Sequence, residues 1–163
     1  MSALRFVIVS LGLLLCCVGH ASENYIVSYV YDGDTVQLKS AEEKFKLRLS
    51  DIDAPERNQP YGLKARRALM KLCQGTHVEV NVEITGTDKY ARQLGKLNCN
   101  GIDASHHLVK NGLAWHQGKF ARDSMLKQSA EQARIQKLGL WQDPDPMPPW
   151  IWRKRNLQTQ SNN

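Results

Sequence analysis

Two carboxylates, Asp32 and Asp34, flank a glycine in the segment YDGDTV, inside an otherwise apolar and β-branched run. An Asp-Gly pair between alternating residues is typical of a hairpin turn, because glycine tolerates a positive φ. The alternative is that one acid is directed at a cation, which prefers oxygen ligands. The segment alone leaves both interpretations open.

Further charged residues stand at positions where an ordinary strand or loop does not need them. Arg48 lies within the apolar segment KLRLSDI, and Arg92 follows TDKY. Asp53 and Glu56 bracket DAPE, where the strand-like pattern ends. Taken singly, each is compatible with a turn or with solvent. Together with Asp34 they supply carboxylates for a metal ion, a general base and two arginines, which is what phosphodiester hydrolysis by water requires.

Strand geometry limits how these side chains can meet. Asp32 and Asp34 share a face, since side chains repeat every two residues along a strand. Arg48 and Asp53 are five residues apart, so strict alternation places them on opposite faces. We therefore expect the chain to leave the strand before Asp53, as DAPE suggests.

Hydrophobic periodicity predicts the elements that position these residues. The order is three strands, a helix, two strands and two further helices. Five short strands with an interposed helix favour an α+β fold, an OB-type five-stranded antiparallel β-barrel with helices against it. The predicted helices are Tyr61–Cys73, Asp103–Gly112 and Arg122–Gly139.

The N-terminus is predicted to be a signal peptide covering residues 1–21. Arg5 precedes an apolar run of about 13 residues, shorter than the roughly 20 that a membrane span needs. Cys16 and Cys17 also suggest a lipoprotein, but the small residue expected just before a lipidated cysteine is absent. Cleavage after Ala21 leaves 142 residues, which fits one domain.

The remaining chain is basic. Loss of Arg5 leaves 21 basic and 16 acidic groups, a net charge of +5. A basic exported domain is suited to a polyanion such as nucleic acid, an envelope polymer or a membrane surface. Charge alone does not choose among them.

Two cysteines, Cys73 and Cys99, lie outside the predicted leader. They form either a disulfide, which an oxidising compartment allows, or two buried free thiols. No cysteine and histidine spacing typical of a zinc site is present.

The segment 143–163 is predicted to be a tail outside the domain at 22–142. Its four prolines indicate irregular structure, and the last ten residues are expected to be disordered. Trp150 and Trp152 are expected to pack back onto the body.

The motifs DGDTV, LRLSDIDAPE and TDKYAR, in this order and spacing, resemble the staphylococcal nuclease family over about residues 25–142. The resemblance implies an OB-type barrel with three α-helices and a calcium-dependent nuclease. It also implies that Asp34 and Asp53 are calcium ligands together with the main-chain carbonyl of Ala54. The best-known member of the family has threonine at that last position, so alanine keeps the carbonyl and loses a hydroxyl.

The same resemblance assigns roles to the other residues of these motifs. Glu56 matches the general base, and Arg48 and Arg92 match the phosphate-binding arginines. Supporting roles near the metal and the nucleotide fall to Asp32, Thr35, Lys89 and Tyr90. The type member of the family has two tyrosines after its GLA segment. This chain has GLAWHQGKF there, with Trp115, His116 or Phe120 as the candidate replacements.

The resulting prediction is a monomeric, exported nuclease, periplasmic or extracellular, without stable membrane association once the leader is removed. By resemblance it cleaves DNA and RNA to products with 3′-phosphate and 5′-hydroxyl ends. One alternative is an inactive OB-type module that binds single-stranded nucleic acid, and another is an envelope protein that binds acidic polymers. The intact set of five charged positions favours the enzyme.

Overall fold

The computed structural model describes residues 24–117 and 123–161. The predicted signal peptide and Phe120 lie outside the described residues. None of the helices in the described part of the chain has the length and apolar character of a membrane span.

The described chain combines a sheet with four α-helices. The strands are β1 (Ile26–Val30), β2 (Thr35–Lys39), β3 (Lys44–Leu49), β4 (Ile52–Asp53), β5 (Val80–Thr87), β6 (Gln93–Cys99), β7 (Ile102–Asp103) and β8 (Trp115–His116). The helices are α1 (Gly62–Cys73), α2 (Ala104–Lys110), α3 (Ser124–Ile135) and α4 (Pro149–Ser161), with a 3-10 turn at Gly139–Gln142.

The main sheet runs in the order β1-β2-β3-β6-β5, with β7 paired to β6. The strands β1, β2 and β3 form two successive hairpins, as their alternating patterns predict. The strands β3 and β6 are parallel, because the chain between them crosses over through α1 and β5. The prediction of a wholly antiparallel sheet was therefore wrong at this pair.

The α+β class is confirmed, but two details of the predicted barrel are not. Among the described residues, β1 and β5 are the two edges of the sheet and do not pair, so the sheet is not a closed barrel. The strands β4 and β8 form a separate small sheet beside it. In the part of the chain that the structure describes there are four α-helices rather than three, because of α4.

Three helices follow the sequence pattern and its capping residues. The helix α1 ends at Cys73, and its buried side is formed by Ala65, Leu69 and Cys73. Asp103 caps α2 by accepting a hydrogen bond from the backbone N–H of His106. The start of α3 is capped in the same way by Asp123.

The fourth helix corrects the prediction of an irregular tail and a disordered end. All four prolines of the tail lie at or before the first residue of α4. Pro149 occupies that first position, where a helix needs no backbone N–H and a φ near −65° is favourable. The carbonyl of Pro148 accepts from the N–H groups of Ile151 and Trp152, each at 3.0 Å. No proline follows, so the helix continues to Ser161.

The core lies between the sheet and the helices α1, α2 and α3. It is built from the apolar faces of the first three strands, including Val36, Leu38 and Leu47, and from Leu69 and Leu108 on the helices. A disulfide joins Cys73 at the end of α1 to Cys99 at the end of β6, with 5.2 Å between the Cα atoms. Of the two states left open by the sequence, the disulfide is therefore the one observed.

Removing this disulfide is expected to destabilise the protein without changing the fold. The bond joins residues 26 positions apart, and closing such a loop stabilises by roughly 3–4 kcal/mol in the chain-entropy model. Urea unfolding of the Cys73→Ala/Cys99→Ala variant should show a loss of that size. Wild-type protein in a strong reductant is the control, and its urea midpoint should match that of the variant. Coincident midpoints of variant and oxidised wild type would contradict the prediction.

Candidate active site

The loop between β1 and β2 holds Asp34 inside the protein. Its side chain is only 2% exposed and accepts a 2.7 Å hydrogen bond from the backbone N–H of Ala54. The hydroxyl of Thr35 donates to the same carboxylate at 3.0 Å. Asp32 shapes the turn itself, since its carboxylate accepts from the backbone N–H of Asp34 at 2.9 Å. The turn and the directed acid are therefore two roles of one segment.

Gly33 is required by the closeness of neighbouring elements. A Cβ at this position would lie 2.6 Å from the Cβ of Ala54 and 2.7 Å from that of Ala65. Any larger side chain would push the loop away from α1 and from the segment that follows β4. The small residues on both sides thus allow Asp34 to approach Ala54.

Arg48, near the end of β3, joins two buried acids. Its guanidinium makes one ion pair with Asp34 and another with Asp53, the latter at 2.8 Å. The chain turns out of β3 after Leu49 through Asp51, whose φ of 67° is in the left-handed region. That turn brings Arg48 and Asp53 to the same side, as predicted from the need to leave the strand.

Glu56 lies in the loop between β4 and α1. Its backbone N–H donates to the side-chain carbonyl of Gln59 at 3.1 Å, and its carbonyl accepts from the backbone of Gln59 at 2.8 Å. The start of α1 packs so closely that a Cβ at Gly62 would collide with the carbonyl oxygen of Glu56. The backbone of this loop is therefore fixed, while the Glu56 carboxylate remains partly exposed.

Arg92 approaches from the turn between β5 and β6. Asp88 organises this turn by accepting from the backbone N–H groups of Tyr90 and Arg92. It also pairs with the Arg92 guanidinium at 2.7 Å. Tyr90 is largely exposed, and the Lys89 ammonium lies 5.0 Å from its ring centroid. The turn thus presents an arginine and an aromatic ring beside the acids.

One residue of the site was missed by sequence reasoning. Arg153 on α4 pairs with Asp53 at 2.7 Å and with Glu56 at 2.7 Å. Hydrogen bonds to Asp53 raise the pKa of Arg153 most, and burial opposes them. The available signal was the basic run RKR directly after two tryptophans, which was predicted to follow an irregular, proline-rich segment.

These residues line one open pocket of about 330 Å³. Its lining consists of Asp32, Asp34, Arg48, Ala54, Glu56, Tyr90, Arg92 and Arg153. Asp53 has no exposed surface and forms ion pairs with two of the lining residues, Arg48 and Arg153. Burial raises the pKa of Asp34 to about 8, although the neighbouring Arg48 favours the charged form. All five charged positions singled out in the sequence are therefore brought together, whereas Lys89 does not line this pocket.

The region after α2 does not place its tryptophan in the pocket. The Trp115 ring is buried and lies 4.5 Å from the ring of Trp141 and 5.5 Å from that of Trp150, measured between centroids. Its backbone pairs with Asp53 in the small β4–β8 sheet. Trp115 is therefore a packing residue whose backbone pairing holds the strand that carries Asp53.

The donor atoms of the pocket suit a hard cation. The carboxylates of Asp34 and Asp53 offer oxygen ligands of the kind that calcium prefers, without the nitrogen or sulfur donors typical of zinc. Within residues 24–117 and 123–161, no group of three or more acidic, histidine or cysteine side chains is arranged to hold a metal ion. Most of a calcium coordination shell would thus have to come from main-chain carbonyls, water and substrate.

Carboxylates and arginines around one cavity are the equipment of a phosphodiesterase. The comparisons with known proteins agree, since residues 46–143 match the family model described as staphylococcal nuclease homologue. The chain belongs to the staphylococcal nuclease family, as the sequence motifs predicted, and it is a nuclease.

Three relatives show how far the similarity extends. The chain is 38% identical over 127 residues to an uncharacterized endonuclease of Escherichia coli O157:H7, covering 77% of this chain and 82% of that protein. It is 32% identical to micrococcal nuclease of Shigella flexneri over 170 aligned residues, which covers 94% of each chain. Staphylococcal-like nuclease CAN1 of Arabidopsis thaliana is 38% identical over 112 residues, 69% of this chain and 34% of that protein.

Proposed function

We propose that the protein is a calcium-dependent endonuclease that hydrolyses DNA and RNA to products with 3′-phosphate and 5′-hydroxyl ends. The observation that carries this proposal is the convergence of Asp34, Arg48, Asp53, Glu56 and Arg92 on one pocket. Family membership makes nucleic acid the substrate class. The net positive charge of the chain favours the approach of a polyanion.

The carboxylates of Asp34 and Asp53 and the main-chain carbonyl of Ala54 would hold the cation. A calcium ion bound there supplies positive charge beside the scissile phosphate and polarises its P–O bonds. Arg48 is fixed by its ion pairs to the same two acids, so its guanidinium is preorganised at the pocket wall. Preorganised donors stabilise developing charge without a reorganisation cost at the moment of reaction.

In this proposal Glu56 acts as the general base. Its partly exposed carboxylate accepts a proton from a water molecule, whose oxygen then forms a bond to phosphorus. The bond from phosphorus to the 5′ oxygen breaks, and that oxygen takes up a proton from solvent to become a hydroxyl. The phosphate therefore remains on the 3′ side. Arg92, held by Asp88 at the pocket rim, is positioned to bind a phosphate oxygen during this step.

Tyr90 offers a surface for the base next to the scissile phosphate. It is an exposed ring at the pocket edge with two cations close to it, Lys89 and Arg92. Aromatic rings stack on nucleic acid bases with little dependence on base identity. This supports a substrate range that includes both DNA and RNA.

The proposal is tested by incubating the protein of residues 22–163 with end-labelled single-stranded DNA and RNA, in calcium and in a chelator. We expect cleavage only when calcium is present. Treatment with a 3′-phosphatase should remove a terminal phosphate and lower the gel mobility of the products, whereas the new 5′ ends should carry no phosphate for a 5′-phosphatase to remove. Intact strands that are retarded on a native gel would instead indicate a binding module. Products with 5′-phosphate ends would overturn the assigned direction of bond breakage.

We also propose that the protein is exported. Support comes from the leader-like residues 1–21 and from the disulfide between Cys73 and Cys99, which suits an oxidising compartment. N-terminal sequencing of protein recovered from periplasm and medium should begin at Ser22. A product in the cytoplasm that begins at Met1 would contradict export.

A further inference from the structure

The helix α4 carries a basic side chain into the pocket from outside the segment that matches the family model. The matched residues end at 143, whereas Arg153 lies ten positions further on. Its guanidinium donates to both oxygens of Asp53, at 3.1 and 2.7 Å, and to Glu56 at 2.7 Å. It therefore contacts the proposed calcium ligand and the proposed general base at the same time.

The placement of α4 is fixed by two contacts of its tryptophans. The Trp150 ring packs on Trp115, whose backbone pairs with Asp53. The indole N–H of Trp152 donates to the side chain of Asn58 at 3.3 Å. These contacts hold the helix without Arg153, so its side chain can move while the helix stays.

A second link anchors the segment just before α4. The side-chain amide of Gln59 donates to the carbonyl of Met147 at 2.6 Å. The same side chain accepts from the backbone N–H of Glu56 at 3.1 Å. The buried Gln59 therefore ties the tail and the Glu56 loop into one unit.

Asp53 has no exposed surface and needs positive charge beside it. Arg48 supplies part of that charge but shares it with Asp34. The guanidinium of Arg153 supplies the rest. A divalent cation on Asp53 would repel a guanidinium held against the same carboxylate, so one arginine must withdraw when the cation binds.

The exposure of the two arginines decides which of them moves. The Arg48 side chain is 15% exposed and lies between two acids within the sheet. The Arg153 side chain is 42% exposed and reaches the pocket from a terminal helix. Withdrawal of Arg153 also releases Glu56 from its ion pair, which leaves that carboxylate free to accept a proton.

We propose that Arg153 is a positioning residue that takes the place of the cation, holding Asp53 and Glu56 together until calcium displaces its side chain. This inference rests on the proposed function, because it concerns the same cation site. Calcium binding and the freeing of Glu56 are then one event. Arg153 acts as a competitor for the cation and as a counter-ion that keeps the pocket assembled without it.

The test is isothermal titration of calcium into the full mature chain, comparing wild type with Arg153→Gln. Arg155→Gln is the matched control, since it removes the same charge from an exposed position on the same helix. If Arg153 occupies the site in at least nine of ten molecules, its removal should tighten calcium binding by about 10-fold or more. Arg153→Lys, which keeps the charge but cannot contact both acids as a fork, should fall between wild type and Arg153→Gln.

The outcomes separate this inference from the proposed function. Tighter binding in Arg153→Gln, with Arg155→Gln at the wild-type value, supports the exchange. Equal or weaker binding in Arg153→Gln overturns it, even if the wild type binds calcium and cleaves DNA. If the exchange is overturned in this way but the wild type cleaves only with calcium, the proposed function is still supported. Equal tightening in both glutamine variants also overturns the exchange, because general charge would then be sufficient to explain it.

Discussion

Replacing Glu56 by glutamine is expected to lower the turnover number by about 10²–10⁴-fold, the usual contribution of general acid–base catalysis. Glutamine keeps the size and the hydrogen-bonding capacity of the side chain but cannot take a proton from water. The backbone of the loop should be unaffected, because Gln59 and Gly62 fix it through main-chain atoms. Thermal unfolding of the variant should therefore resemble that of the wild type.

The measurement is single-turnover cleavage of a short single-stranded DNA at saturating calcium. Glu42→Gln is the matched control, since Glu42 is exposed in the turn between β2 and β3. We expect that control to cleave at the wild-type rate. A Glu56→Gln variant with undiminished turnover would remove this carboxylate from the mechanism.

Replacing Arg48 by lysine is expected to cost about 10²–10³-fold in turnover, similar to the loss of one preorganised donor in other enzymes. Lysine retains the charge, but its ammonium cannot reach Asp34 and Asp53 with two planar N–H groups at once. The free energy of unfolding should fall by about 1.5–3 kcal/mol, because one hydrogen bond to a charged, buried partner is lost.

The two quantities are measured by steady-state cleavage and by urea unfolding on the same preparation. Arg67→Lys, at an exposed position of α1, is the matched control and should change neither. If urea unfolding shows that Arg48→Lys is already largely unfolded under the assay conditions, its loss of activity would reflect lost stability rather than lost stabilisation of the transition state. If turnover is unchanged, Arg48 does not stabilise charge in the reaction.

The convergence of the five charged residues could be predicted because the types and spacing of short motifs define it. The turn at YDGDTV and the departure from β3 before Asp53 both follow from local rules about glycine, strands and proline. The same is true of the caps at Asp103 and Asp123. These features depend on residues close together in the sequence.

The features that could not be predicted depend on distant contacts. The parallel pairing of β3 with β6 joins strands that are separated along the chain by two other strands and a helix, so no local pattern predicts it. The role of Arg153 requires α4 to dock through Trp150 on Trp115, 35 positions earlier in the chain. The prolines of the tail predicted irregular structure, whereas the last of them is the first residue of α4.

The central claim is that Asp53 and its neighbours hold the cation on which cleavage depends. The most direct test is calcium titration and DNA cleavage measured together for wild type and Asp53→Asn, with circular dichroism as the control for folding. We predict that the wild type binds calcium and cleaves only when it is bound, while a folded Asp53→Asn protein does neither at the same calcium concentration. Cleavage by the wild type that continues undiminished in a chelator, or an Asp53→Asn protein that binds calcium and cleaves normally, would contradict the account.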